Sequence, residues 1–390
     1  MKLYLVRMFH IKKVLLISFL VCFFIYVFTA CGVRAVNSPT ASDSDFENNV
    51  KANCDEESVT RKFTDTEGRT ITVPDDIKKV YSINPVGNVM MYTLAPHKIV
   101  GLSSKVEEED KKFLLESYIE LPVLSGNFWS NKTMNIEEIL KAKPDVIINM
   151  GNVDHTSVEE SQRIEEQLGI PVAVIKFDIR SMGESYKLLG ELIGENARAQ
   201  ELGDYCTRTL DEIYEKTSKI PENKKIRVYY AEGEMGLQTD PKGSPHSEVL
   251  DLAGAVNVAD VAMTKGFGRS TVSVEQLLKW NPDKIIVCID AGTKSENNPF
   301  NYILNNNVMR DLEAVKNRKV TAIPYHPFNW IDRPSSVNRI IGAKWLANLL
   351  YPDIFKYDIR EEIKDFYEVF YHRILTQKEV EDLLQNAGVN

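Results

Sequence analysis

Side chains that could hold a small ligand recur in the loops that follow predicted β-strands. In parallel α/β sheets, ligands bind beyond the carboxyl ends of the strands, so residues in these loops should meet in one place. We therefore expect one cleft lined by charged, amide, imidazole and aromatic groups. The candidate ligand-binding residues are Pro85, Asn88, Trp129, Lys132, Asn152, His155, Lys242, His246, Phe267, Arg269, His326, Trp330 and Arg333.

The arginines and aromatic residues of this set indicate a bulky, anionic ligand. Arg269 and Arg333 could neutralise an anionic chelate, because a guanidinium group binds paired oxygen atoms with two donors. They could equally pair with acidic side chains of the protein. Trp330 lies in "YHPFNWIDRP", which gathers aromatic residues in a loop. Large apolar groups with a few polar ones are typical of a pocket for a bulky ligand. Trp129 could instead be a lone surface aromatic residue.

Three histidines are placed where they could reach a ligand. His155, His246 and His326 lie in the expected loops, although each alone is better explained as an ordinary loop residue. Haem would need only one or two axial ligands, for which Tyr325, His155 or His326 could serve. No set of histidines and carboxylates from both halves of the chain can be assembled, so we assign no metal site.

Neither catalysis nor nucleic-acid binding is indicated. The sequence has no G-x-S-x-G elbow, no H-E-x-x-H motif and no phosphate-binding loop, so we predict no enzyme, no catalytic residue and no cofactor. The net charge of −9 is unlike the basic face that nucleic acid requires. Cys206 and Cys288 do not fit a zinc site or a disulfide framework, and we expect both to be buried. A secreted enzyme and a surface protein without a small ligand are the alternatives.

The first 58 residues indicate export and membrane attachment. A basic start, "MKLYLVRMFHIKK", precedes residues 14–30, which carry no charge, as in an export signal. Thr29 and Ala30 before Cys31 look like a bacterial lipoprotein signal, in which the cysteine is lipidated. We predict a signal peptide over 1–30 and a flexible polar tether over 31–58. A transmembrane anchor is the alternative, since the apolar run is nearly long enough to span a bilayer.

The rest of the chain alternates between strand and helix patterns. Buried-strand patterns such as "DVIINM" and "DKIIVCID" are separated by helical segments such as "SVEESQRIEEQLG", which predicts parallel sheets with helical crossovers. We predict an α/β fold of two doubly wound lobes, 59–194 and 221–352, joined by one long α-helix over 195–220. The ligand cleft should lie between the lobes. A helical extension over 353–390 should pack on the C-terminal lobe.

One motif occurs twice, 138 residues apart. "NIEEILKAKPDVII" and "SVEQLLKWNPDKII" share their register, with Pro144 matching Pro282. Each copy predicts a short capped helix that proline ends, followed by a buried strand. Glu137 and Glu275 are explained by neither the caps nor the apolar faces, and we expect both on the surfaces of their helices. The helix dipole explains either glutamate alone, but it does not require the same residue at the same exposed place in both copies.

This chain resembles the substrate-binding proteins of ABC importers for iron–siderophore complexes, haem and cobalamin. The resemblance covers about residues 61–353, and several motifs of that family occur in order along the chain. It is carried by the repeated motif, "FTDTEGRTITVPDDIKKVYSINP", "LDLAGAVNVA" and "FNWIDRPSSVNRIIGAKWLANLLYPD".

The resemblance implies a function and a set of partners. It implies capture of a ferric siderophore, a small-molecule metal chelate, and delivery to an ABC permease and its ATPase, with haem or cobalamin as alternative ligands. It implies one docking glutamate per lobe, Glu137 and Glu275, each contacting arginines of the permease. It also implies that the linking helix keeps lobe closure small. We therefore expect an exported monomer, anchored by lipid on Cys31 to the outer face of the bacterial cytoplasmic membrane.

Overall fold

The computed structural model describes residues 59–124, 134–264, 268–290 and 298–389 of the 390-residue chain. The predicted signal peptide, Cys31 and the tether lie outside the described residues, as do Trp129, Lys132 and Phe267. No helix in the described part combines the length and the apolar character that crossing a membrane requires.

A hairpin begins the N-terminal lobe. Strands β1 (Thr60–Thr64) and β2 (Thr70–Pro74) pair antiparallel. The buried carboxylate of Asp65 fixes the turn, because it accepts hydrogen bonds from the backbone N–H groups of Glu67 at 3.1 Å and Arg69 at 3.0 Å. Gly68 has φ 73°, a left-handed conformation that glycine adopts without strain.

The N-terminal lobe is built on a parallel sheet whose strand order is β3–β4–β5. Its strands are β3 (Val80–Ser82), β4 (Val146–Gly151) and β5 (Val172–Lys176). The helices of this lobe are α1 (Pro85–Leu94), α2 (Glu116–Ile119), α3 (Ile136–Ala142), α4 (His155–Leu168) and α5 (Met182–Ile193). The strand-like segment "KIVGLS" forms two isolated bridges, Ile99 with Val80 and Leu102 with Val123, and its first residue belongs to the 3-10 helix Pro96–Lys98.

The predicted linking helix is α6 (Asn196–Thr217). It packs on α5 through two glycines whose backbones approach closely. A Cβ atom placed on Gly203 would lie 2.6 Å from the carbonyl oxygen of Gly183, closer than real contacts allow. Cys206 faces the same buried side, and burial raises the pKa of its thiol, so it packs as an apolar group as the sequence predicts.

The C-terminal lobe is also built on a parallel sheet with helices. Its parallel sheet has the strand order β11–β10–β6–β8, and β7 and β9 form a separate antiparallel pair. The strands are β6 (Arg227–Ala231), β7 (Gln238–Thr239), β8 (Val256–Asn257), β9 (Ser270–Thr271), β10 (Lys284–Val287) and β11 (Val320–Ala322). The helices are α7 (Glu248–Leu252), α8 (Val274–Trp280), α9 (Pro299–Asn305), α10 (Glu313–Lys316) and α11 (Asn338–Leu350). Two parallel α/β lobes joined by one helix confirm the predicted fold class.

The repeated motif has the same local structure in both lobes. The side chains of Asn135 and Ser273 cap α3 and α8, and both helices end on a left-handed residue just before Pro-Asp. The aspartates then tie each motif to the neighbouring strand. Asp145 accepts hydrogen bonds from the N–H groups of Lys78 and Lys79 at 2.8 Å, and Asp283 accepts one from Arg227 N–H at 2.8 Å.

The C-terminal extension contains α12 (Ile359–Tyr371) and α13 (Gln377–Leu383), both capped by a side chain at the N-terminus. It packs on the C-terminal lobe, where Lys344 of α11 donates to Glu362, and it also contacts the N-terminal lobe and α6. Tyr371 reaches the N-terminal lobe, where its carbonyl accepts a hydrogen bond from Tyr92 Oη at 3.0 Å. Phe370 packs edge-on against Tyr205 of α6, with ring centroids 5.2 Å apart. The apolar stripe of α12 is wide enough to cover both lobes and the linking helix, and all of them share one buried cluster.

Candidate functional site

Two neighbouring cavities lie at the carboxyl ends of the strands of both lobes. The larger has a volume of about 670 Å³ and the smaller about 360 Å³. Pro85, Arg333 and Pro334 line both cavities, so these residues stand where the two spaces meet. Pro85 begins α1 of the N-terminal lobe, whereas Arg333 belongs to the loop after β11. The cavities therefore form one cleft with walls from both lobes.

The larger cavity combines aromatic and charged groups. Its aromatic side chains are Tyr118, Tyr325 and Phe328. Its charged side chains are Lys105, Glu107, Asp110, Arg269, Asp290 and Arg333, three of each sign. Burial raises the pKa of Tyr325, so this phenol is a neutral hydrogen-bonding group at physiological pH. The cavity can hold a bulky ligand by stacking and by paired charges.

The smaller cavity receives the N-termini of two helices. Asn84 caps α1 by accepting a hydrogen bond from Gly87 N–H, and Asp154 caps α4 by accepting one from Ser157 N–H. The partial positive charge at a helix N-terminus favours anions. Arg333 also lines this cavity.

The central feature of the cleft is a pair of arginines bridged by one carboxyl group. Glu232 Oε1 accepts hydrogen bonds from Nε of Arg269 at 2.8 Å and from Nε of Arg333 at 3.2 Å. Arg333 Nη2 also donates to Asp240 at 2.6 Å, and the fork of Arg269 donates to Asp290. Arg333 has φ 60°, a left-handed conformation that is uncommon outside glycine. The network holds both guanidinium groups in fixed positions beside the larger cavity.

Glu232 binds a proton unusually tightly. Its side chain is fully buried. Burial and the neighbouring Asp240 raise the pKa of Glu232 to about 8, although Arg333 and Arg269 act in the opposite direction. A buried carboxyl group beside a second carboxylate retains its proton because the two negative charges repel each other. Glu232 therefore exchanges its proton near physiological pH, inside the network that holds both arginines.

Asp332 is the centre of a second buried network. Its carboxylate lies 2.6 Å from His246 Nδ1 and 2.9 Å from Arg339 Nη2. Burial alone would raise the pKa of Asp332, but His246 and Arg339 outweigh it and hold that pKa far below the ordinary value. Arg339 also donates to Glu248 at 2.9 Å. These contacts fix the loop that carries Arg333.

A metal ion could be considered for one cluster of this region. Asp240, His246 and Asp332 each offer one ligand atom, and these atoms lie within 4.8 Å of one another. However, Arg333 donates to Asp240 and Arg339 donates to Asp332. The two guanidinium groups thus supply the positive charge that a metal ion would otherwise provide.

The structure brings about half of the sequence candidates together in the cleft. Asn88 lines the larger cavity, where its side chain also accepts a hydrogen bond from Ser103 N–H at 2.8 Å. Asn152 and His246 line the smaller cavity. The candidates in the walls of the cleft are Pro85, Asn88, Asn152, His246, Arg269, Tyr325 and Arg333.

Two candidates point to solvent instead of into the cleft. The side chain of His155 is 86% exposed and pairs with Glu159 one helical turn away, at 3.3 Å. It is the first residue of α4, and the Asp154 cap directs it outward. Lys242 is exposed in the turn after β7 and lines neither cavity.

Two further candidates are structural. Trp330 is fully buried and belongs to the shared apolar cluster, because its loop folds back onto α11. A Cβ atom on Gly342 of α11 would meet the Trp330 carbonyl oxygen at 1.9 Å. His326 lines neither cavity. Its Nδ1 lies 2.6 Å from Asp110 of the N-terminal lobe, and its ring stacks on Phe113. His326 therefore joins the lobes, and neither His326 nor His155 lines the two cavities.

Sequence reasoning missed the acids that hold the arginines. Glu232, Asp240, Asp290 and Asp332 are either buried or paired, and none of them was a candidate. One signal was available, because Glu232 follows β6 and Asp290 follows β10 at the carboxyl ends of parallel strands. The ion pairs themselves join residues that are 21–101 positions apart in the sequence, and no local sequence pattern predicts such contacts.

The two docking candidates lie outside the cleft. Glu137 and Glu275 occupy the second position of α3 and α8, and both side chains are exposed. Within the described ranges neither glutamate forms an ion pair. Both therefore present a carboxylate to solvent at the equivalent place of each lobe.

Comparison with known proteins gives a family model and similar chains. The family model described as "Periplasmic binding protein" matches residues 93–326. An ABC transporter solute binding protein from Sulfurospirillum deleyianum is 33% identical, with a TM-score of 0.76. That match covers 83% of this chain and 99% of that one.

Two curated proteins are also similar to this chain. The molybdate-binding protein MolA of Haemophilus influenzae is 28% identical over 341 residues, which cover 80% of this chain and 91% of that protein. A vitamin B12-binding protein of Vibrio cholerae is 26% identical over 254 residues, which cover 62% of this chain and 82% of that protein. The chain belongs to the periplasmic binding protein family, the substrate-binding proteins that work with ABC importers.

Proposed function

We propose that this protein captures an anionic metal complex of the ferric-siderophore class and delivers it to an ABC permease and its ATPase. The observation that carries the proposal is the pair Arg269 and Arg333 in the wall of the larger cavity. Two guanidinium groups can bind the oxygen atoms of an anionic chelate, and they keep their charge at any physiological pH.

The shape of the larger cavity supports a bulky ligand. Its volume of about 670 Å³ falls in the range of about 300–1,000 Å³ that organic ligands occupy. Tyr118, Tyr325 and Phe328 offer aromatic faces beside the two arginines. Catecholate rings could stack on these faces while their oxygen atoms bind the metal and accept hydrogen bonds.

The test is a titration of the purified full chain with a ferric tris-catecholate complex. Arg333→Gln should weaken binding at least about thirtyfold, because truncating one partner of a desolvated charge pair costs about 2 kcal/mol or more. Arg310→Gln removes the same charge from an exposed position of the same lobe and should leave affinity unchanged. Equal affinity in the two variants would contradict the proposal. Thermal melting of both variants checks that each one folds.

Molybdate is a second candidate, favoured by one observation of its own. The N-termini of α1 and α4 and the side chain of Arg333 meet at the smaller cavity of about 360 Å³. Helix N-termini and a guanidinium group favour a small tetrahedral anion. The carboxylates in the same wall oppose it; they are Asp154, Glu160, Asp178, Glu248 and Asp332. The similarity to a protein named for molybdate binding points the same way. Calorimetric binding of molybdate, with no binding of the ferric tris-catecholate complex, would select this candidate.

Haem and cobalamin are the remaining alternatives within this family. Of the three haem-ligand candidates, only Tyr325 lines the cleft. The similarity to a vitamin B12-binding protein supports cobalamin instead. An absorbance spectrum of the protein purified from its native host distinguishes them, because haem gives a Soret band and a corrinoid gives its own spectrum.

Attachment through Cys31 is a separate proposal. The lipoprotein-like sequence before Cys31 supports it, and paired acyl chains give stable membrane attachment. Cys31→Ala should release the protein from the membrane fraction while leaving ligand binding unchanged. Membrane retention of this variant would favour the alternative of a transmembrane anchor.

A further inference from the structure

An acid of the protein occupies the bidentate face of Arg269. Nη1 and Nη2 of Arg269 donate to the two carboxylate oxygens of Asp290 at 2.6 and 2.5 Å, and Nε donates to Glu232 at 2.8 Å. A guanidinium fork facing two oxygen atoms is the geometry with which arginine recognises anions. Asp290 thus uses the face of Arg269 that an anionic ligand would need.

The acids around the arginines differ strongly in burial. The side chains of Glu232 and Asp240 are 0% and 1% exposed, whereas that of Asp290 is 41% exposed. A half-exposed carboxylate can rotate into water and keep its hydration. Glu232 and Asp240 cannot leave without moving buried groups. Asp290 is therefore the acid of this network that a ligand can displace.

Arg333 differs from Arg269 in its free donors. Its Nε and Nη2 donate to Glu232 and Asp240. Its Nη1 donates to no described residue, and the side chain is 27% exposed between the two cavities. The cleft therefore offers one guanidinium group with open donors and a second one covered by Asp290.

We propose that Asp290 is a displaceable counter-ion that selects ligands by charge: a ligand must replace its carboxylate on Arg269 while it also contacts Arg333. The inference rests on the proposed function, since it concerns the same anion site. The ligand class is a complex with at least two negative charges and paired oxygen atoms that the larger cavity can hold, such as a ferric tris-catecholate.

Charge balance explains the selection. A displaced Asp290 stays in the cleft wall, where its negative charge repels an incoming anion. A monoanion that displaces Asp290 only replaces one anionic contact of Arg269 by another, so the exchange gives no favourable binding free energy. A multiply charged ligand gains the second contact with Arg333 and outweighs that repulsion.

The first test compares Asp290→Asn with wild type in the full chain. Titrations use a ferric tris-catecholate complex as the probe. Asp290→Asn should raise its association constant by roughly tenfold, because an amide holds Arg269 without charge. Asp260→Asn is the matched control. It makes the same substitution at an exposed position of the same lobe, outside both cavities, and should change the constant less than about threefold.

The outcomes separate the two proposals. Unchanged or weaker binding in Asp290→Asn, or an equal gain in Asp260→Asn, would overturn the role of Asp290 while the proposed function stands. Absence of binding of the ferric tris-catecholate complex to the wild type would remove the proposed function, and the inference would fall with it.

A second measurement needs no variant. Burial would raise the pKa of Asp290, but Arg269 outweighs it and holds that pKa below the ordinary value. Carbon NMR of the Asp290 carboxyl group should show this pKa rising when the protein is saturated with the gallium(III) tris-catecholate complex, the diamagnetic analogue of the ferric probe. An unchanged titration after saturation would mean that Asp290 stays on Arg269, which contradicts displacement.

Discussion

At the scale of single residues, the cleft depends on acids that control its arginines. Glu232 bridges Arg269 and Arg333, Asp240 holds Arg333, and Asp290 covers Arg269. The arginines could be predicted because they follow strand-like segments and have an obvious use. Their partners could not, since pairing depends on loop paths that bring together residues far apart in sequence.

Glu232 gives the protein a pH-dependent stability. Its pKa is raised to about 8 in the folded protein, against an ordinary value of 4.5. The folded state therefore binds the proton more tightly, and the resulting stabilisation, complete below pH 4.5, is lost as pH rises toward 8. The melting temperature of the wild type should therefore decline between pH 5 and 8.5. In Glu232→Gln this decline should be smaller by roughly 2 °C or more, because the titrating group is absent. Parallel pH profiles of the variant and wild type would show that Glu232 is not the titrating group.

At the scale of elements, the repeated motif was the part of the fold best predicted. Its caps, its proline and its buried strand are all local signals, and the structure contains each of them. The packing of the C-terminal extension was harder to predict. The apolar stripe on α12 indicates that this helix packs against another part of the protein, but the sequence does not indicate which part. Its contacts with Tyr92 and Tyr205 depend on how the lobes are placed.

The contact of α5 with α6 depends on Gly203. A Cβ atom at this position would lie 2.6 Å from the Gly183 carbonyl oxygen. Gly203→Ala should therefore force the helices apart and destabilise the protein by about 1–3 kcal/mol, as overpacking usually does. Arg208→Ala, at an exposed position of the same helix, should be nearly neutral. Urea denaturation measures both, and equal midpoints would contradict the close contact.

The extension should hold the N-terminal lobe through Tyr92. Its hydroxyl donates to the Tyr371 carbonyl at 3.0 Å and accepts from Leu115 N–H at 3.1 Å. Tyr92→Phe removes both hydrogen bonds and should cost about 1–3 kcal/mol, since a buried carbonyl and N–H lose their partner. Amide hydrogen exchange should rise together in α1 and α12. Faster exchange in only one of these helices would contradict a brace between the lobes.

At the scale of the whole molecule, the two lobes share one buried core with the linking helix and the extension. His326 and Asp110 add a contact between the lobes at 2.6 Å. We therefore expect ligand binding to move the lobes little, so the permease would recognise a nearly constant spacing of its docking points.

The proposed docking points are Glu137 and Glu275, one exposed carboxylate on each lobe. Charge reversal of both to Lys should abolish uptake, because two cationic groups would then face the arginines of the permease. Ligand affinity should stay unchanged, since neither residue lines the cleft. Reversal of Glu67 and Glu368, also exposed, is the matched control and should leave uptake intact. Lost affinity in the first double variant would rule out a pure docking role.

The central claim is that the cleft holds an anionic metal complex through Arg333. The most direct measurement is the metal content of the full chain purified from its native host, as wild type and as Arg333→Gln. We predict about one iron atom per wild-type chain, carried by an organic chelate, and strongly reduced occupancy in the variant. A wild-type protein without any bound metal complex, or equal metal content in the two proteins, would contradict the account.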